Sequence, residues 1–124
     1  MGKKCQLIWR TTVPGHPKCK SFIEPSKSLA EIEGGMGRKS FTVPPKKNYW
    51  WSEFKHQNIL ALLALSHSLD YDILPAYEIN LLRPDDHKKR DDCLHSCVPG
   101  KAAVYNQALL HLMLLHQQDE TTNA

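Results

Sequence analysis

The stretch Asp92-Cys93-Leu94-His95-Ser96-Cys97-Val98-Pro99-Gly100 sets a carboxylate and an imidazole three residues apart, with the imidazole between two cysteines. A serine hydrolase or acyltransferase needs a histidine to take the proton from its serine, and a carboxylate to hold that histidine in the right tautomer. One short turn brings Asp92 and His95 to the same side and leaves the second ring nitrogen facing a nucleophile. Asp91 competes for the carboxylate role. On spacing alone the same residues also read as a surface turn whose aspartate caps the helix that follows. A zinc site on Cys93, Cys97, His95 and His87 is disfavoured, because Cys-x-x-x-Cys departs from the usual ligand spacing and no second close cysteine pair exists. No cofactor and no metal is expected.

Outward from that stretch, 124 residues bound the chain to one domain or a piece of one. A formal net charge of +3 is too small to argue for nucleic acid. The runs Lys3-Lys4, Lys46-Lys47 and Lys88-Lys89-Arg90 lack the interleaved aromatics of a single-strand groove, and read as solvated loop charge. The longest apolar run, residues 59–65, is about a third of what a bilayer span requires, so no transmembrane segment is expected. The opening Met1-Gly2-Lys3-Lys4 leads into too short an apolar stretch for a signal peptide. Four cysteines, two of them flanking the histidine, nevertheless read as a disulfide set, which belongs to an oxidising compartment. The two readings agree if the chain is part of a longer, exported protein.

Residues 7–12 are short, apolar and β-branched and predict a strand, ended by the turn Pro14-Gly15-His16-Pro17. Residues 18–48 carry little periodicity and several Pro and Gly, and read as a long surface loop. A helix is predicted over residues 52–69, its centre apolar on all sides and therefore buried. Trp50 and Trp51 at its start read as packing residues rather than as a sugar-stacking platform. Residues 71–76 predict a strand stopped by Pro75. The closing helix begins within residues 99–102 and carries Val104, Ala108, Leu109, Leu112 and Leu115 on one stripe, which should pack across the sheet. Residues 1–117 thus make the domain, and residues 118–124 a polar tail that frays. Helix followed by strand is the α/β rhythm. His16, His56, His67, His111 and His116 carry no partner pattern and read as surface or satisfied packing residues.

Together with Tyr105-Asn106-Gln107-Ala108-Leu109-Leu110, the 92–100 stretch resembles the terminal block of the PC-esterase group, which includes the plant trichome birefringence-like polysaccharide O-acetyltransferases. Those proteins end with an Asp-Cys-x-His-Trp-Cys-x-Pro-Gly block and a helix carrying Trp-Asn-x-Leu-Leu. Leu7-Ile8-Trp9-Arg10-Thr11-Thr12-Val13-Pro14-Gly15-His16 resembles the group's Arg-Thr strand and the Pro-x-His after it. Glu53 and Asn58 stand where its members have a helix with Glu and Asn. Tyr71-Asp72-Ile73-Leu74-Pro75-Ala76-Tyr77 and Arg83-Pro84-Asp85-Asp86-His87 look like its next strand and its Arg-x-Asp-Gly-His loop.

The resemblance spans nearly all of this chain but only the C-terminal part of the group's catalytic domain. It implies an SGNH-hydrolase-like fold, a three-layer α/β/α sandwich with a mainly parallel sheet, of which this chain is the C-terminal portion. It also implies an O-acetyltransferase or acyl esterase working on a carbohydrate acceptor or an acylated glycan in the secretory pathway, in the Golgi or outside the cell. Asp92 and His95 would be the catalytic pair. The serine lies in a Gly-Asp-Ser block near the start of that domain, and no such block occurs here. The missing N-terminal half would supply it along with the oxyanion donors. A disulfide between Cys19 and Cys93 is implied, with Cys97 seeking a partner in the missing half; Cys5 and Cys97 are left open. His87 is expected to be structural. Two departures, Ser96 in place of Trp and Asp86 in place of Gly, point to a branch outside the plant members. The competing reading is a non-catalytic, cysteine-stabilised interaction module.

Overall fold

The computed structural model describes residues 5–35, 51–67, 70–87 and 92–122. The described residues form a mixed α/β unit: strand β1 (Ile8–Arg10), a 3-10 turn at Cys19–Ser21, helix α1 (Leu29–Gly35), helix α2 (Trp51–Ser66), strand β2 (Asp72–Leu74), helix α3 (Ala76–Leu81) and helix α4 (Gly100–Thr122). Trp50, Leu69, Asp91, the three basic runs and residues 36–48 of the expected loop lie outside the described residues.

β1 and β2 pair in parallel, with Ile8 opposite Asp72, Trp9 opposite Ile73 and Arg10 opposite Leu74. Both are shorter than the stretches that predict them, and beyond their ends Thr11 and Pro75 start α3. Pro75 is the N-cap of α3 and provides no side-chain cap. The first turn of a helix nevertheless leaves N–H groups without partners. Thr11 supplies one from across the sheet: the Tyr77 N–H donates to its hydroxyl at 2.8 Å, and the Thr11 N–H donates to the Leu74 carbonyl at 3.2 Å. One buried threonine therefore closes the end of the sheet and starts the helix.

The residue period does not reveal α1 or α3. α1 lies inside the stretch that reads as loop, and the reason it forms is local. The Glu31 N–H donates to the Ser28 hydroxyl at 3.1 Å, while the Glu31 carboxylate accepts the Lys27 N–H at 2.7 Å. This Ser-x-x-Glu arrangement starts a helix even within Pro-rich surroundings. Its product is the core: Ile32 of α1 meets Tyr77 and Leu81 of α3, with Phe22, Leu29 and Phe54 closing the sides.

α4 packs against β2 and α3, and the Gln6 side chain ties it to the sheet by donating to both Asp72 Oδ2 and the Leu112 carbonyl, at 2.8 and 3.2 Å. The helix runs on to Thr122, so it extends five residues into the stretch read as a polar tail. Two further expectations are corrected here. Val104 and Leu115, on the stripe expected to pack, are exposed, and Leu110, Met113 and Leu114 join them. Ile59, Leu60 and Leu63 of α2, read as buried on all sides, are also about half exposed. A sheet of two strands has too little face to cover both helices. No helix among the described residues is long and apolar enough to cross a membrane.

The Cys19–Cys93 disulfide joins residues 74 apart in sequence. A cross-link over a loop of that length removes enough freedom from the unfolded chain to contribute on the order of 4 kcal/mol. Urea unfolding of the Cys19→Ser, Cys93→Ser double variant should record a loss of that order. Ile32→Ala, which empties a fully buried site while leaving the cross-link intact, should lose about 3 kcal/mol.

Candidate functional site

The loop carrying Asp92 and His95 is fixed from one side by the cross-link and from the other by the β1 exit. The Asn58 side chain, on the second turn of α2, grips Thr12 at both backbone groups, accepting its N–H at 2.8 Å and donating to its carbonyl at 2.9 Å. Asn80 of α3 donates to the Pro14 carbonyl at 2.6 Å. The turn so held brings the His16 N–H to the Cys93 carbonyl at 2.8 Å, and Cys19 to its disulfide partner. Gly15 is needed in this turn for space rather than for conformation. A Cβ there would collide with the Trp51 indole and with the Cys93 carbonyl, so the turn, the first side chain of α2 and the Asp92–His95 loop approach one another over a bare backbone. Trp51 is thus a buried packing residue at the helix start.

Within the loop, the two oxygens of Asp92 divide the work. Oδ1 accepts the backbone N–H groups of Leu94 and His95 at 3.2 and 3.0 Å and makes the turn. Oδ2 lies 2.8 Å from His95 Nδ1. The local turn and the acid–imidazole contact are therefore both made, by different oxygens of one side chain, but Asp92 does not cap the helix that follows. The His95 side chain is 70% exposed. Its Nδ1–H points at the carboxylate, which leaves Nε2 as the free lone pair toward solvent. That is the tautomer and orientation a general base requires.

The His95 backbone N–H, followed by its imidazole, holds the Asp92 carboxyl well below the usual carboxylate range, at about 2. Asp92 is therefore ionised wherever His95 can work as a base.

Behind the loop lies a buried polar cluster. His16 is fully buried, its Nδ1 2.9 Å from His87 Nε2 and its Nε2 3.2 Å from the Leu81 carbonyl. His87 Nδ1 lies 3.2 Å from the His95 carbonyl, and the His87 carbonyl accepts from the Cys97 thiol at 3.3 Å. Asp86 sits beneath α4. Its carboxylate accepts the Lys101 N–H at 2.5 Å and occupies the space a side chain on Gly100 would need. Asp86 is thus the N-terminal cap of α4, where a negative charge is favoured. The Lys101 ammonium is buried nearby without a hydrogen-bond partner among the described residues, and burial lowers it to about 8 against the pull of Asp86. Arg83 forms a two-pronged bridge to Asp85, at 3.0 and 3.1 Å.

Of the sequence-derived site residues, Asp92 and His95 come together, as do Cys19 and Cys93. Because Cys93 is in a disulfide, the four-residue zinc set considered from sequence does not form. Cys5 and Cys97 are free and exposed. Glu53 is exposed on α2. Sequence reasoning gives His16 no partner, whereas it is the inner half of the His16–His87 pair; the Pro14-Gly15-His16-Pro17 turn is the signal that places it. His56, His67 and His111 are at the surface.

The Asp92 contacts have a signed pH dependence. An aspartate whose folded value lies below its ordinary 3.8 contributes stability in full above 3.8, and that contribution fades as pH falls toward about 2. Carboxyl-detected NMR should give an Asp92 midpoint near 2, with the Leu94 and His95 amides moving with it; a midpoint at the ordinary 3.8 would show the carboxylate unheld. No family model matches this chain, and neither does any curated protein or solved structure.

Proposed function

We propose that this chain is the C-terminal segment of an SGNH-type O-acetyltransferase or acyl esterase acting on carbohydrate, with Asp92 and His95 as two members of a Ser–His–Asp triad. The observation that carries the reading is the 2.8 Å Asp92–His95 contact through Nδ1, with Nε2 left exposed. His95 Nε2 would take the proton of an incoming serine as it attacks the acyl carbonyl, and would then deprotonate the acceptor, a sugar hydroxyl or water. Asp92 would keep the ring in the Nδ1–H tautomer and balance the imidazolium charge.

The serine and the oxyanion donors would come from an N-terminal half outside this chain. Two features support such a partner. The parallel sheet has two strands among the described residues, whereas parallel sheets are normally covered on both faces. The half-exposed apolar residues of α2 and α4 are the faces that further strands and helices of a three-layer sandwich would cover. The Cys19–Cys93 disulfide supports an oxidising compartment, which for the longer protein would be the secretory pathway, Golgi or extracellular.

The disulfide and the exposed helix faces equally suit the second reading, a non-catalytic interaction module; the Asp92–His95 geometry favours the first. A serine-reactive phosphonate probe separates them. The longer product, containing a Gly-Asp-Ser block, should label, and His95→Ala should lower its acyl-transfer rate on the order of a million-fold. This chain alone should not label. A longer product that lacks the block, or whose labelling is indifferent to His95→Ala, would leave the module reading standing.

A further inference from the structure

Between the Leu81 carbonyl and the His95 carbonyl stand two imidazoles and three close contacts: Leu81 O to His16 Nε2 at 3.2 Å, His16 Nδ1 to His87 Nε2 at 2.9 Å, and His87 Nδ1 to His95 O at 3.2 Å. Both ends of this chain are acceptors, so three protons are needed to make every contact a hydrogen bond. Two neutral imidazoles bring only two. One contact must therefore be empty unless the pair carries a positive charge.

We propose that the empty contact is the outer one, and that the His16–His87 pair is a proton-operated latch on the backbone carbonyl of His95. The 2.9 Å contact between the rings is the shortest and cannot hold two facing lone pairs. The Leu81 carbonyl contact is at the fully buried His16, where no water can replace a missing donor. His87 is half-buried, and its contact with the His95 carbonyl lies at the exposed end of the chain. The neutral pair thus places its protons on His16 Nε2 and His87 Nε2, leaving His87 Nδ1 and the His95 carbonyl as two acceptors facing each other. A third proton, taken at His87 Nδ1, closes the latch.

The charged groups facing the pair set when that happens. Lys101, from the first turn of α4, opposes protonation of both rings; Asp86 and Asp92 favour it at His87. Burial, the larger effect, lowers His16 to about 3 and lowers His87 as well. His87 is thus the site that takes the third proton, below the usual histidine range, and His16 stays neutral. The latch stands on the contacts alone. Its consequence for catalysis rests on the function proposed above: His95 would work as a base with its carbonyl released, and acid would pin its loop.

Long-range 1H–15N spectra of the 15N-histidine-labelled chain, in a His95→Gln background that takes the signals of that ring out of the spectrum, read the proton on each imidazole nitrogen. Above neutrality, Nδ1 of both His16 and His87 should be bare. On acidification His87 Nδ1 should gain a proton with a midpoint below 6.5. The Ser96 amide, whose peptide carbonyl is that of residue 95, should shift with the same midpoint, and His87→Phe should abolish that shift. A proton on His87 Nδ1 above neutrality overturns the latch without recourse to any further variant. So does a Ser96 shift that survives His87→Phe. Neither result depends on whether the longer protein labels with a serine probe.

Discussion

Everything near the candidate site depends on one junction, where Cys93 is bonded to Cys19 through sulfur and to the His16 N–H through its carbonyl. Asp92 and His95 sit on a loop with few buried contacts of its own, and a loop so placed would sample many conformations. The junction instead clamps it to the turn after β1, which Asn58, Asn80 and Trp51 hold in turn. Because Gly15 has no side chain, the Trp51 indole and the Cys93 carbonyl both lie directly against its backbone, so the clamp is short and leaves little play. The carboxylate then needs only local hydrogen bonds to finish the geometry, and it makes three.

The parts of the fold that sequence reveals are those whose causes are local or periodic. α2 and α4 are long enough for composition to identify, and β1 and β2 are short β-branched runs bounded by turn residues. α3 escapes because the group that starts it, the Thr11 hydroxyl, is 66 residues away from Tyr77 in sequence. α1 did leave a local mark, Ser28-x-x-Glu31, which the surrounding Pro and Gly outweigh. Burial is the least legible property: Ile59, Leu60 and Leu63 form an apolar centre whether or not anything covers them.

The site divides the same way. Asp92 and His95 are three apart, so one turn suffices and their contact is implicit in the sequence. His16 and His87 are 71 apart, and nothing about either residue names the other. Asp86 shows how a residue's role becomes visible only in three dimensions. Where a glycine would leave the N-terminus of α4 uncapped at this point, the carboxylate takes the Lys101 N–H and lies against the bare Cα of Gly100.

The grip of Asn58 on Thr12 has a consequence for the sheet as a whole. In parallel pairing alternate residues address opposite edges. Leu7 and Thr11 bond toward β2, so Thr12, one residue on, addresses the other edge, and there Asn58 has already taken both its N–H and its carbonyl. A side-chain amide thus stands where the next strand's peptide would lie. The outer edge of β1 is open to a neighbouring strand only as far as Ile8 and Arg10, and α2 marks its end.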